Sequence, residues 1–225
     1  MAPRPMIVLT HGAFHTGACF DLLVTELDAR GIDTRTFDLP LTDLEQDAAV
    51  VTSVLDSCDG PVTLLGHSYG GSVITVAGAH PKVERLVYLC ALAPEVGEPA
   101  SGGPVEIGAD FLAAMRVSDD GVTFVDPALA PQVFYPDVDP VTARRFAQFL
   151  RPGNTGGAVT VPTAAWHDRP STYIVCVDDP IILEQSQRAN AARIGADVVE
   201  LAGDHSPMVA RPAELADILA TVVGR

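Results

Sequence analysis

A mostly parallel α/β sheet of about six strands, with helices on both faces, is the fold class that this sequence predicts. Three observations carry that expectation. Short β-branched runs alternate with stretches of helical periodicity along most of the chain. The first run, Met6–Thr10 (MIVLT), is apolar without a break, as a strand covered on both faces requires. Residues 64–71, LLGHSYGG, set a serine among glycines where an apolar run stops and a helical stretch starts.

The elements follow in order. After Met6–Thr10, residues 17–30 place apolar side chains at helical spacing, and Gly31 is the expected stop. Thr34–Leu39 is a second strand closed by Pro40, Asp43–Leu55 a helix, and residues 61–65 (PVTLL) a third strand. Residues 69–79 form the next helix and Val83–Leu92 a fourth strand. The alternation then breaks between Pro94 and Pro170, a stretch rich in Pro, Gly and Asp with helical pieces at Ile107–Arg116 and Val141–Leu150. It resumes with Tyr173–Val177 (strand), Leu183–Ile194 (helix), Asp197–Leu201 (strand) and Pro212–Val223 (helix). A chain that leaves and re-enters one pattern is read as a single domain spanning 1–225, with an insertion at about 97–169.

Composition narrows the function. Lysine and arginine total 14 against 29 acids in 225 residues, a net charge of −15. Such a balance disfavours nucleic acid and anionic membrane, both of which call for a basic face. The apolar run in MAPRPMIVLTHG is too short for a signal sequence or a membrane span. Four cysteines (Cys19, Cys58, Cys90, Cys176) stand far apart with no C-x-x-C pair, so no structural zinc site is expected and a reducing, cytoplasmic compartment is. No metal or cofactor is called for, and the expected state is a monomer or homodimer.

Gly66-His67-Ser68-Tyr69-Gly70 matches G-x-S-x-G between a strand and a helix, the context in which a sharp turn lifts a serine hydroxyl clear of the sheet. A serine needs a base, and on such a sheet the order is serine, acid, histidine. Of six histidines, His11 and His15 precede the serine, His67 adjoins it, His80 ends the next helix and His167 ends the insertion. His205, in GDHSPM after the last strand, is the expected base, with His167 a distant second. The acid follows the strand Tyr173–Val177, where Asp178 and Asp179 stand side by side and periodicity does not separate them. Asp204 is too near His205 in sequence to orient its ring. Oxyanion donors are expected at the Tyr69 N–H and in the glycine-rich first loop, at Ala13 N–H. The competing reading of that loop, a dinucleotide cradle, fails because Gly12 and Gly17 do not make G-x-G-x-x-G.

With HGAFHTGACF, LLGHSYGG and AGDHSPM together, the chain resembles the α/β-hydrolase superfamily, and within it small single-domain esterases related to plant methyl esterases and hydroxynitrile lyases. The resemblance runs from Ile7 to the last helix and is loose only over the insertion. It implies an α/β-hydrolase fold with a short helical cap. It also implies a triad acid at Asp179, read from the frame of Val177-Asp178-Asp179-Pro180-Ile181-Ile182-Leu183 with Gln187 in the following helix. The lyases resembled carry a threonine after the first-loop histidine and a lysine after the catalytic one; Gly12 and Ser206 stand here instead.

The expected function is therefore carboxylesterase-type hydrolysis of a small, mainly apolar ester by Ser68, His205 and Asp179. The expected pocket takes in Gly12 and Phe14 from the first loop and Phe111, Met115, Phe134, Tyr135 and Trp166 from the cap, with Leu112, Phe124 and Phe146 as further candidates. Candidate cationic anchors are few: Arg116, Arg144, Arg145, Arg151 and Arg169. Two other readings are a lyase or cyclase reusing the pocket and a non-catalytic small-molecule receptor.

Overall fold

The computed structural model describes residues 4–101, 105–154 and 159–224. Residues 102–104 and 155–158, both within the expected cap, lie outside the described residues. The sheet strands are β1 (Met6–Thr10), β2 (Asp33–Thr36), β3 (Val62–His67), β4 (Val83–Leu89), β7 (Ser171–Cys176) and β8 (Asp197–Leu201). Between β4 and β7 the chain makes a small antiparallel hairpin, β5 (Met115–Val117) and β6 (Thr123–Val125). The helices are α1 (Asp21–Ala29), α2 (Leu44–Asp56), α3 (Gly70–Ala77), α4 (Ala109–Ala114), α5 (Ala130–Phe134), α6 (Pro140–Ala147), α7 (Glu184–Arg193), α8 (Pro207–Ala210) and α9 (Pro212–Val223).

The six main strands run in the order β2-β1-β3-β4-β7-β8, every pairing parallel. Burial matches the position in that order. All six residues of β3 and all six of β7 are buried, whereas the edge strands β2 and β8 are largely open. Side chains alternate between two cores because a strand's period is two. Ile7, Leu9, Leu65, Val87, Leu89 and Ile174 pack on one face, against Leu23 and Leu27 of α1 and Leu215 and Leu219 of α9. Val8, Leu64, Leu86, Tyr88, Tyr173 and Val175 pack on the other, against Val51 and Leu55 of α2, Val73 of α3 and Ala191 of α7. Leu27 is fully buried, and truncating it to alanine costs about 2–5 kcal/mol in cores of this kind. Helix α2 starts where Asp43 accepts a hydrogen bond from Gln46 N at 2.8 Å, a side-chain N-cap.

The expected elements shorten for identifiable reasons. The expected helix over 17–30 opens as a 3₁₀ turn at Gly17–Phe20 before α1. The second strand stops at Thr36, and Asp38 beyond it turns to accept Gly17 N–H at 2.8 Å, tying the first loop down. The fourth strand stops at Leu89 because Cys90 takes a left-handed φ of 36° and Ala91 N–H then bonds the Tyr173 hydroxyl at 3.0 Å. The expected helix over Ile107–Arg116 ends at Ala114, since Met115 and Arg116 pair with Val125 and Phe124 in the hairpin. That hairpin turns through Gly121 at φ 83°. The helix expected at Val141–Leu150 runs from Pro140 to Ala147, capped by the Asp139 carboxylate.

Candidate active site

Between β3 and α3 the chain reverses within two residues, and the cost falls on Ser68. Its φ is 54°, a left-handed conformation that non-glycine residues adopt only when their surroundings impose it. The surroundings here are backbone packed at contact distance. A Cβ on Gly66 would lie 2.5 Å from the Gly70 carbonyl oxygen, and one on Gly71 would lie 2.1 Å from the Leu92 carbonyl oxygen. Ser68 O in turn accepts Gly71 N–H and Leu92 N–H, both at 3.0 Å. Ser68 is left partly exposed while His67 and Tyr69 on either side are buried.

The first loop reaches the serine from the next strand. A Cβ on Gly12 would stand 2.7 Å from Ser68 Cβ, so glycine is what lets the loop close over the hydroxyl. This places the first loop and the Ser68 turn side by side at the carboxyl ends of β1 and β3.

The structure joins His205 to Asp179 rather than to Asp178 or Asp204. Asp179 Oδ2 lies 2.7 Å from His205 Nδ1, with both side chains buried. A carboxylate only accepts, so Nδ1 carries the proton and Nε2 keeps its lone pair. Asp179 is itself held. Its Oδ1 accepts Ile181 N–H at 2.7 Å and Ile182 N–H at 3.1 Å, and its Oδ2 accepts Gln187 Nε2 at 2.9 Å. Asp178 faces the other way, its Oδ2 accepting Gly203 N–H at 3.3 Å. The Asp204 carboxylate is taken up by the Asp137 and Ser206 backbone N–H groups.

The remaining histidines have other tasks. His67 donates from Nε2 to the His205 carbonyl at 2.8 Å, and burial beside two other imidazoles holds its pKa well below the usual value. His11 donates from Nδ1 to Gly12 O and accepts Leu39 N–H on Nε2, both at 2.9 Å; burial pushes its pKa down to about 4. His15 donates from Nδ1 to Ala13 O at 2.9 Å, and burial pushes its pKa down to about 3. All three are neutral near pH 7. His80 pairs with Asp56, and His167, exposed, pairs with Glu95.

Most of the expected pocket residues do meet. Phe14, Phe111 and Phe134 form a chain of ring contacts at 6.3 and 5.8 Å, and Phe134 continues to Tyr135 and to His15. Phe146 joins through Tyr135, and Met115 packs on the same cluster. Trp166 does not join them. It lies in the core on the opposite face of the sheet and donates to Pro94 O at 3.1 Å, because the chain has crossed back towards α3 before β7 begins. Leu112 points outward, 54% exposed. Among the described residues, two clefts flank the expected cap: one of about 570 Å³ between Phe111, Val133 and Ile181, and one of about 300 Å³ bordered by Phe14, Phe124 and Arg151. Ser68 lines neither.

Sequence reasoning missed Asp47 of α2. Fully buried, it accepts the Tyr69 hydroxyl on Oδ2 and Leu41 N–H on Oδ1, each at 2.8 Å. An acid in the first turn of a helix reads as a dipole partner, and only the fold shows what it faces. Among the described residues, His67, Cys90 and His205 place three possible metal-ligating atoms within 4.8 Å of one another. His67 Nε2 and Cys90 Sγ both already donate to the His205 carbonyl, so the cluster serves as a hydrogen-bonded support for that loop.

Comparison with known proteins bears on the fold and the family. A pyrethroid hydrolase of Sphingobium wenxiniae is 30% identical, over 95% of this chain and 86% of its own. Methylesterase 1 of Arabidopsis thaliana is 26% identical, over 93% and 92%. A crystal structure of a pyrethroid hydrolase superposes with a TM-score of 0.85 at 26% identity, covering 98% of each chain. That of polyneuridine aldehyde esterase gives 0.84 at 20% identity, covering 97% of this chain and 99% of the other, a likeness of fold. The model of the alpha/beta hydrolase family matches residues 7–218, and the chain belongs to that family.

Proposed function

We propose that this ester-cleaving hydrolase works as a serine carboxylesterase with Ser68 as nucleophile, His205 as base and Asp179 as its partner. The observations that carry the reading are the 2.7 Å bond between His205 Nδ1 and Asp179 Oδ2 and the left-handed φ of Ser68. Nε2 of His205 takes the Ser68 proton as Oγ attacks the acyl carbon, and the imidazolium that forms is stabilised by Asp179. The developing oxyanion is held by the N–H groups of Ala13 and Tyr69. His205 then protonates the departing alcohol, and a water activated by the same ring hydrolyses the acyl-enzyme.

Residues from about 97 to 169 act as the cap in this reading, and its Phe111, Phe134 and Tyr135 with Phe14 of the first loop make an aromatic cluster suited to an uncharged ester with bulky apolar groups. Relatives named for hydrolysing pyrethroids and for methyl-ester cleavage support the same substrate class. Four free, buried cysteines support a reducing compartment. Among the described residues no helix is long and apolar enough to cross a membrane.

The test is turnover of a series of p-nitrophenyl esters together with labelling by a fluorophosphonate. Wild type should hydrolyse the shorter esters and label once, at Ser68, and Ser68→Ala should do neither. A wild-type protein that neither turns over esters nor labels would overturn the proposal.

A further inference from the structure

Four non-glycine residues among those described have left-handed φ: Phe14 (64°), Leu41 (56°), Ser68 (54°) and Cys90 (36°). Ser68 and Cys90 belong to the nucleophile turn and the strand end beside it. Phe14 and Leu41 lie on two different loops, and one short stretch of the insertion holds both. Arg151 N–H donates to Phe14 O at 2.8 Å, its Nε to His15 O at 3.4 Å, and its Nη2 to Leu39 O. Three residues on, Asn154 N–H donates to Leu41 O at 2.6 Å. Gly153 lies so close to this loop that a Cβ there would stand 2.6 Å from Leu41 Cβ.

Each loop supports one of the two N–H groups assigned above to the oxyanion. Phe14 and His15 follow Ala13 directly. Leu41 N–H bonds Asp47, whose other oxygen holds the Tyr69 hydroxyl, and Leu39 N–H bonds His11 at the start of the first loop. A guanidinium is a planar fork of donors fixed in direction, so one side chain can set the spacing of two carbonyls on separate loops. Arg151 spends these donors on main-chain carbonyls, where they fix geometry.

We propose that Arg151 is a positioning residue for the oxyanion hole. It locks the first loop to the 39–41 loop, sets Ala13 N–H relative to Tyr69 N–H, and couples the seating of the cap to transition-state stabilisation. This rests on the serine-esterase reading above. Oxyanion donors act over a narrow range of distance, and a misplacement of about 1 Å costs on the order of a hundredfold in rate.

The test uses the full chain with p-nitrophenyl butyrate, comparing wild type with Arg151→Ala and Arg151→Lys. Arg151→Ala should lose about tenfold to a hundredfold in kcat with KM within about threefold. Its affinity for a trifluoromethyl ketone, which forms the tetrahedral adduct, should fall by the same factor. Affinity for the matching unreactive amide should hold. Added methylguanidine should restore part of kcat to Arg151→Ala and leave wild type unaffected. Arg151→Lys keeps the charge but not the fork and should also lose kcat; it decides the matter if the alanine variant fails to fold. Unchanged kcat, a rise in KM alone, or equal losses for ketone and amide would each overturn the proposal. If wild type itself neither turns over ester nor labels at Ser68, the esterase reading has failed first; an active wild type with an unaffected Arg151→Ala sinks only this one.

Discussion

His67 Nε2 donates to the backbone carbonyl of His205 at 2.8 Å, so the residue before the proposed nucleophile grips the residue proposed as its base. The two imidazoles lie 4.8 Å apart, centroid to centroid, and the ring of His67 is fully buried. β3 thereby positions two partners at once: Ser68 through the turn, and the His205 loop through a side chain.

Replacing His67 with phenylalanine keeps a ring of similar breadth and removes the donor, leaving the His205 carbonyl with Cys90 Sγ at 3.5 Å. The variant should lose about 1–3 kcal/mol in urea unfolding, the usual cost of stranding a buried acceptor. It should lose at least about tenfold in kcat, from a misplaced His205. Denaturant titration and ester turnover on the same preparation check both.

Asp179 and Asp178 are adjacent in sequence and differ in what they touch. Asp179→Asn should cut kcat by about three to four orders of magnitude, because an amide at this position favours the wrong tautomer of His205. Asp178→Asn should stay within a few-fold of wild type, since Asp178 Oδ2 accepts Gly203 N–H at 3.3 Å and faces away from His205. Parallel kinetics with one p-nitrophenyl ester separates the two, and equal losses would reassign the acid.

The glycines of the Ser68 turn are a matter of space. Gly71→Ala would set a Cβ 2.1 Å from the Leu92 carbonyl oxygen, a main-chain atom that cannot step aside. It should lower stability by about 3 kcal/mol or more and abolish soluble expression or activity. Gly60→Ala meets nothing within 4 Å and has no left-handed φ, so it should be neutral or stabilise by up to about 1 kcal/mol. Thermal melts of the pair check this.

Acid should destabilise the fold over a defined range. His11 and His15, pushed down to about 4 and about 3, and His67, also held well below the usual value, stay neutral in the folded chain while the unfolded chain protonates them near pH 6.5. The unfolded state therefore binds more protons, and stability falls as pH drops from about 6.5 towards 4, flattening near 3. His11 alone accounts for up to about 3 kcal/mol of that fall. Burial raises the carboxyls of Asp47 and Asp204, which acts in the opposite sense and offsets part of the loss at the acid end. Urea midpoints at pH 7, 5.5 and 4.5 should decline in that order.

Much of this was legible along the chain. The apolar run at MIVLT announced a strand covered on both faces, PVTLL a further strand, and G-x-S-x-G at a strand–helix junction the turn, because glycine spacing and apolar periodicity are local properties. The hairpin at 115–125 was not legible: Ile107–Arg116 has helical spacing, and only pairing with residues 123–125 turns Met115 into strand. Trp166 looked like a pocket aromatic because the sequence does not say on which side of the sheet the insertion returns.

By itself, then, the sequence determined the parallel α/β layering, the sharp turn at Ser68 and the short set of residues from which a base and an acid could be drawn. The tertiary structure showed Asp179 against His205, a choice that periodicity left open and the resemblance implied, and it alone showed that His67 and Asp47 brace the Ser68 turn and that Arg151 reaches Phe14, His15 and Leu39 at once. The physical reason is one of range. Turns and strands are set by neighbours within a few residues, whereas Asp179 and His205 are 26 positions apart and His67 and His205 are 138 apart, so only the packed sheet brings them together.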